Sequence, residues 1–269
     1  MSDAGHDRVE YAYAVLREDS VPPERVRADL TGVAGAPVRL VSGPPGAQLA
    51  AAVSAVPAAD FQEGALRRHL EDLEWLESVA RAHHTVIEEL SAAATVLPLR
   101  LATVYLDEAR VRDVLGDCGA MFTACLDRLD GHLEWGVKIY VEDDPAGAAA
   151  SAAPAGDLSP GRAYLRARGV QRHAREDAHR NARRAEQRVA AIGRELAADH
   201  ARHRVQQGEL AGDAGENVVN DAYLVARDRA ESFRVRVQDA AAGLTGVRVD
   251  ITGPWAPYSF AAVPEGAPS

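Results

Sequence analysis

The first apolar segment of the chain predicts a strand that lies in the middle of a sheet. Residues 9–16 (VEYAYAVL) are mostly apolar and rich in β-branched and aromatic side chains, as expected for a strand buried on both faces. Residues 37–41 and 48–56 form two further apolar segments around the turn sequence SGPPG. They predict two more strands, with a hairpin as one arrangement.

From residue 64 to residue 90 the apolar period changes from two to between three and four, which predicts an amphipathic helix. Its apolar stripe is Leu73, Leu76, Ala80, His83, Ile87 and Leu90. Residues 95–105 are rich in β-forming side chains, and Pro98 places a strand start, a bulge or a sheet edge there. Asp107 is a predicted N-cap for helical sequence that continues to Leu129, with a break at Gly116 or Gly119.

The second half of the chain repeats the alternation of strands and helices. Residues 133–141 predict a strand, and residues 142–159 predict a disordered Ala/Pro linker because they are low in complexity. A long helix is predicted from Pro160 to about His200. It has a stripe of mostly small side chains at Ala178, Ala182, Ala185, Val189, Ile192 and Leu196. Strands at 202–207, 218–226 and 247–252 and a helix at 228–242 complete the predicted elements.

This order of elements predicts an α+β fold with two domains. The N-terminal domain, residues 8–141, is expected to be ferredoxin-like, with helices on one face of a sheet. A smaller C-terminal α+β domain, residues 160–252, contains the long helix, and residues 253–269 form an extended tail. The 269 residues are enough for two such cores.

Composition favours a soluble, acidic, cytoplasmic protein. The chain is 47% hydrophobic with a formal net charge of −10. It has no apolar run near the ~20 residues of a membrane helix, and its polar N-terminus lacks a signal-peptide core. Cys118 and Cys125 lie seven positions apart on a predicted helix, ~10 Å along its axis, which is too far for a disulfide.

The segment GPWAPYSF at residues 253–260 concentrates aromatic side chains in a chain that is only 5% aromatic. Its two prolines exclude an ordinary helix or a central strand. In one interpretation Trp255 and Phe260 pack against a domain core, and the Tyr258 hydroxyl bonds to a buried partner. In the other, the three side chains anchor a partner protein. The first is favoured because the tail directly continues a predicted strand.

Arginine is concentrated on the long helix. Residues 162–194 contain ten Arg, among them Arg172, Arg175 and Arg183, and only three acidic residues. A basic stripe of this kind fits nucleic acid, an acidic protein partner, or a solvated face that balances the acidic remainder of the chain. Nucleic-acid binding is kept as an alternative, although only Tyr164 brings an aromatic ring into this stretch.

The histidines and the sequence motifs predict neither a catalytic nor a metal site. His83 and His84 are adjacent and point ~100° apart on a helix. His200 and His203 have only Asp199 as an added ligand. No nucleophile elbow, phosphate-binding glycine loop, CxxC or HExxH signature occurs. We therefore expect no catalytic residue, metal or cofactor, and an unrecognised enzyme is the remaining alternative.

Seven short segments along the chain form an ordered pattern: YAYAV (11–15), WLESVARAH (75–83), LPLRLATVY (97–105), LEWGVKI (133–139), GRAYL (161–165), NDAYLV (220–225) and DITGPWAPYSF (250–260). In this order they resemble the gas vesicle protein F/L family (GvpF/GvpL). Leu101-Ala102 departs from the family pattern, where an aromatic residue and a glycine are expected.

The resemblance implies a two-domain α+β protein that acts without catalysis as an accessory or minor structural protein of gas vesicle assembly. It implies binding to the small hydrophobic shell protein (GvpA type) and to other gas vesicle accessory proteins. In this interpretation neither nucleic acid nor a membrane is expected as a partner. A shell protein exposes apolar surface before it assembles, which is an aggregation hazard. An acidic binder could cover that surface.

Overall fold

A computed structural model describes residues 7–20, 30–69, 71–142, 160–205 and 215–261. The predicted linker lies almost wholly outside these ranges. The strands are β1 (Arg8–Arg17), β2 (Arg39–Ser42), β3 (Leu49–Pro57), β4 (Val96–Pro98), β5 (Val104–Tyr105), β6 (His132–Val141), β7 (Ala197–Arg202), β8 (Glu216–Ala226) and β9 (Val247–Trp255). The helices are α1 (Ala58–Phe61), α2 (Glu63–His69), α3 (Leu73–Ser91), α4 (Glu108–Asp117), α5 (Gly119–Leu129), α6 (Pro160–Leu196) and α7 (Ala230–Gln238).

The fold is α+β, as the sequence predicts, and it contains two antiparallel sheets. The chain divides at different places from those predicted. One compact unit comprises Met1–His132 together with Trp255–Ser269, and the other comprises Leu133–Pro254. Strand β6 belongs to the second unit because it lies between β8 and β9 in that unit's sheet. The tail belongs to the first unit because Ala256 packs in its core.

The first unit is built on a sheet with the strand order β2-β3-β1-β4, and β5 also pairs with β1. Strand β1 is buried from Val9 to Leu16, which confirms the predicted central position. Strands β2 and β3 pair in antiparallel register around the SGPPG turn, so the hairpin is also confirmed. Pro98 ends β4, a strand at the edge of the sheet, where a missing backbone donor costs little.

Helices cover both faces of the first sheet, whereas the sequence suggested one covered face. Ala50, Ala52 and Val56 of β3 pack with α3 in one apolar cluster. Leu49, on the opposite face of the same strand, lies close to Gly119 at the start of α5. Among the described residues, the buried side chains of α4 and α5 lie outside the α3 cluster. The sheet is therefore a middle layer.

Two details of the first unit's helices differ from the sequence pattern. The predicted helix 64–90 is two helices, because Asp72 interrupts it and caps α3 by accepting from the backbone N–H groups of Glu74 and Trp75. Leu73, expected on the apolar stripe, is 77% exposed because it begins α3 and the buried positions of this helix start at Val79. The predicted cap at Asp107 is confirmed: its carboxylate accepts from Arg110 N–H.

The second unit contains β6, α6, β7, β8, α7 and β9 in that order along the chain, and its sheet has the order β7-β8-β6-β9. This β-α-β-β-α-β sequence is the ferredoxin-like arrangement. Each unit thus places its first strand between its third and fourth, counting β1–β4 and β6–β9 separately. The arrangement expected for the N-terminal domain is most complete here.

Helix α6 packs by the stripe that the sequence predicts. Its small and branched side chains Ala178, Ala182, Ala185, Val189 and Ile192 are all buried in the second unit's apolar cluster. Small side chains allow the helix to approach the sheet closely. The helix ends at Leu196 rather than near His200, because β7 begins at Ala197 and pairs with β8 through Arg202. The strand expected at 202–207 is therefore displaced toward the N-terminus.

Candidate functional site

The C-terminal tail packs against its own unit through two of its side chains. Phe260 is 3% exposed, and Ala256 is buried in the core cluster of the first unit. The Arg128 guanidinium donates a hydrogen bond to the Phe260 carbonyl oxygen. These contacts fix the tail on both sides of Tyr258.

The other two aromatic side chains of the tail stay at the surface, around His84 on α3. Trp255 is 39% exposed and Tyr258 is 36% exposed. The His84 ring lies 5.9 Å from the Trp255 ring and 6.1 Å from the Tyr258 ring, centroid to centroid. The Tyr258 hydroxyl lies 3.5 Å from His84 Nδ1. Phe260 thus has the packing that the intramolecular interpretation expects, whereas Trp255 is exposed and Tyr258 contacts a half-exposed histidine.

A buried hydrogen-bond chain lies under this surface. The backbone N–H of Ala102 donates to the Tyr11 hydroxyl at 3.1 Å, and that hydroxyl lies 3.0 Å from His83 Nδ1. Burial lowers the pKa of His83 to about 4, and the Leu99 backbone only partly offsets this effect. Burial also raises the pKa of the Tyr11 hydroxyl. Both side chains are therefore neutral near pH 7, and they act as structural groups.

A second surface of the first unit is a groove of about 510 Å³. Its apolar lining is Val9, Phe61, Val104, Tyr105, Leu106 and Ala109, and its polar lining is Gln62, Asp107, Arg110 and Asp113. Leu106 lies between β5 and α4, and it is 55% exposed. An exposed leucine beside a partly apolar groove is typical of a protein contact site.

Strand β5 gives this groove an open sheet edge. Val104 and Tyr105 pair with Tyr11 and Glu10 of β1, and no strand in the described ranges pairs with the other side of β5. An unpaired edge offers backbone donors and acceptors to an added strand. The groove can therefore combine apolar contact with backbone hydrogen bonding.

The sequence did not predict this groove. It comes from Phe61, Val104 and Leu106, which are 45 positions apart at their extremes and meet only because β5 pairs with β1. The one sequence signal is Leu106 itself, an apolar residue placed just before the Asp107 cap. From the sequence alone, a leucine at that position indicates only the end of a strand.

The arginines selected from the sequence are held mainly by nearby carboxylates. Arg175 contacts Glu216 at 3.0 Å, and Arg172 lies 3.8 Å from Glu176 on the same helix. Arg183 is exposed and has no carboxylate partner among the described residues. These three side chains belong to the second unit and the tail aromatics to the first.

The remaining candidates for chemistry are accounted for by packing and ion pairing. His200 lies 3.0 Å from the Asp221 carboxylate and stacks on the Tyr223 ring. In the described part of the chain, no group of three or more His, Cys, Asp or Glu side chains is arranged to hold a metal ion. Cys118 and Cys125 are both free thiols. None of the helices in the described ranges is long and apolar enough to span a membrane.

These features define a class: a two-sheet α+β protein whose first unit presents a partly apolar groove and a pair of exposed aromatic rings. The chain belongs to the gas vesicle synthesis protein GvpL/GvpF family, whose family model matches residues 9–262. The family supports a gas vesicle related role for this protein, and it is a family of structural and assembly proteins.

Relatives and solved structures agree with this assignment. The chain is 45% identical over 275 residues to gas vesicle protein L of Streptomyces sp. (strain CB03234), covering 96% of this chain and 95% of that one. It is 22% identical over 201 residues to gas vesicle protein F2 of Halobacterium salinarum, covering 73% and 74%.

Two crystal structures share the fold. GvpF from Anabaena sp. PCC7120 matches with a TM-score of 0.65 at 19% identity, covering 96% of this chain and 98% of that one. GvpF from Microcystis aeruginosa matches with a TM-score of 0.61 at 16% identity, covering 95% and 99%. At these identities the match concerns the fold alone.

Proposed function

We propose that this protein is a non-enzymatic assembly factor in the cytoplasm that binds the small hydrophobic shell protein of gas vesicles and limits its aggregation. Other gas vesicle accessory proteins are further partners in this proposal. The observation that carries it is the groove beside Leu106, in a chain that belongs to a gas vesicle family.

The chemistry of the groove suits an apolar chain segment. Burying the exposed side chain of Leu106 and the neighbouring apolar lining stabilises a complex by about 25 cal/mol per Å² removed from water. The open edge of β5 can pair with the backbone of an extended segment, which would otherwise need partners for its own donors and acceptors. Asp107 and Asp113 at the groove keep the free surface hydrated.

The acidic character of the chain supports a role in keeping an apolar partner dispersed. A formal charge of −10 gives the protein a net repulsion between copies. A complex that covers the shell protein's apolar surface with such a chain would inherit this repulsion. The proposal needs neither catalysis nor a cofactor.

The test compares two exposed leucines. Co-expression of a GvpA-type shell protein with the unaltered chain should raise the soluble fraction of the shell protein and allow both to be purified together. Leu106→Asp should abolish both effects because it places a charge in the groove. Leu73→Asp is the matched control: it makes the same change at another exposed leucine and should preserve both effects. An unchanged soluble fraction with no co-purification would refute the proposal, and equal losses in both variants would refute the groove as the site.

A further inference from the structure

Four neighbouring side chains form an exposed surface on α3 and the tail: Trp255, Tyr258, His84 and Glu88. The centroid of the His84 ring lies 5.9 Å from that of Trp255 and 6.1 Å from that of Tyr258. The Glu88 carboxylate lies 3.1 Å from His84 Nε2, one helical turn further along α3. The side chains of His84 and Glu88 are 41% and 49% exposed. We call these four residues the aromatic–acidic surface.

The buried tail residues hold this surface in place. Ala256 and Phe260 are buried on either side of Tyr258, and Arg128 bonds to the Phe260 carbonyl oxygen. His84 and Glu88 are one turn apart on a helix of 19 residues. A partner therefore meets rings that are already ordered, and it does not have to offset the entropy of fixing them.

The composition of this surface selects for positive charge. The faces of Trp and Tyr rings carry negative potential and attract cations, and the Glu88 carboxylate adds a full negative charge. A purely apolar partner would remove water from the Glu88 carboxylate without providing a positive charge in its place, which is costly. The Glu88 carboxylate would repel an anionic partner, because both carry negative charge.

We propose that the aromatic–acidic surface binds a basic side chain of a partner protein, with arginine as the preferred ligand. Arginine is preferred because its planar guanidinium stacks on aromatic faces and can donate two hydrogen bonds to one carboxylate. This site rests on the proposed function only in assuming a protein partner. It adds a second, polar contact to the apolar one at the Leu106 groove.

A pair of small ligands tests the charge preference directly. N-acetyl-arginine amide and N-acetyl-citrulline amide have the same length and shape, but only the first carries a charge. The Trp255 indole N–H signal, assigned by its loss in Trp255→Phe, should shift saturably with the arginine compound. The citrulline compound should bind at least about fivefold more weakly. An equal response to both compounds, or a response to neither, would overturn the proposal.

Two glutamates on α3 provide the matched variants. Glu88→Gln keeps the size of the side chain and removes its charge, so affinity for the arginine compound should fall about fivefold. Glu89→Gln makes the same change at the next position, which is also exposed but points ~100° away around the helix, and it should leave the affinity unchanged. Equal effects of the two variants would show that only the overall charge of the protein matters, and would overturn the site.

The titration also separates this site from the groove. It contains no shell protein, so its outcome does not depend on the proposed function. Leu106→Asp should abolish shell-protein binding and leave the arginine titration unchanged. A lost titration response in that variant would contradict the assignment of two separate surfaces.

Discussion

The Tyr11 hydroxyl lies 3.0 Å from Nδ1 of His83, and both side chains are buried in the core of the first unit. The same hydroxyl accepts the backbone N–H of Ala102, so its own proton is left for His83. This single hydroxyl joins the central strand, the helix on one face of the sheet, and the turn between β4 and β5.

Tyr11→Phe should therefore destabilise the protein. The change removes one oxygen and leaves Nδ1 of His83 and the Ala102 N–H without their partner, which costs about 1–3 kcal/mol in a buried site. Urea unfolding at pH 7 would measure the loss. Tyr258→Phe removes a hydroxyl at the surface and should change the free energy of unfolding by less than about 0.5 kcal/mol. Equal losses in the two variants would contradict the buried chain.

Stability should fall as the pH falls from about 6.5 to about 4, in part because of His83. The folded pKa of about 4 lies below the ordinary value of 6.5. Between these two values the unfolded chain therefore binds a proton that the folded protein does not. His83 therefore destabilises the folded protein by roughly 3 kcal/mol at and below pH 4, and this loss of stability vanishes above pH 6.5.

The measurement compares wild type with His83→Leu by urea unfolding at pH 7 and pH 4.5. The carboxylates titrate in both proteins, so the difference between the two pH dependences isolates His83. Wild type should lose roughly 2–3 kcal/mol more than the variant over this interval. Identical pH dependences would contradict a buried, neutral histidine.

Ala102→Gly should stabilise the protein. Ala102 has a φ of 61°, in the left-handed region where a Cβ atom costs roughly 1 kcal/mol and glycine has no such cost. The sequence departs from the family pattern at this position, where a glycine is expected. Thermal unfolding should show a midpoint raised by a few degrees.

The control for this prediction is an exposed alanine with helical backbone. Ala124 lies within α5, and Ala124→Gly should lower stability by up to about 1 kcal/mol. Opposite signs for the two substitutions would identify the backbone conformation as the cause. A loss of stability in both would contradict it.

Phe260 should contribute to the stability of the first unit. Its side chain is buried, and Phe260→Ala should cost about 3 kcal/mol or more through lost burial and the cavity that remains. Phe260→Leu keeps most of the apolar volume and should cost less than half as much. Thermal unfolding of both variants would provide the comparison. An unchanged midpoint in Phe260→Ala would show that the tail does not brace the core.

The sequence predicted well where one pattern has one structural solution. A long apolar segment such as 9–16 fits a central strand and little else, and the stripe from Ala178 to Ile192 can only face a sheet or another helix. Asp107 was identified as a cap because a carboxylate before a helix has a specific use. The family resemblance rests on the same local signals, taken in order.

The candidate site was less predictable because it depends on distant residues. The tail aromatics were visible as a cluster in the sequence, but nothing local showed that Phe260 would be buried while Trp255 and Tyr258 stayed at the surface. That difference arises from α3, which places His84 under the two exposed rings. The Arg-rich helix also stood out in the sequence. In the structure, however, carboxylates such as Glu216 pair with several of its arginines.

The amino-acid sequence alone thus determined the secondary structure of most segments, the α+β class, the absence of catalytic motifs and the resemblance to the gas vesicle F/L family. Only the tertiary structure decided where the chain divides, that both faces of the first sheet are covered, and which apolar side chains remain exposed. The physical reason is the sequence separation of the interactions involved. Helix and strand patterns follow from hydrogen bonds and side chains within a few positions. Burial of Phe260 or exposure of Leu106 depends on contacts formed across the whole chain.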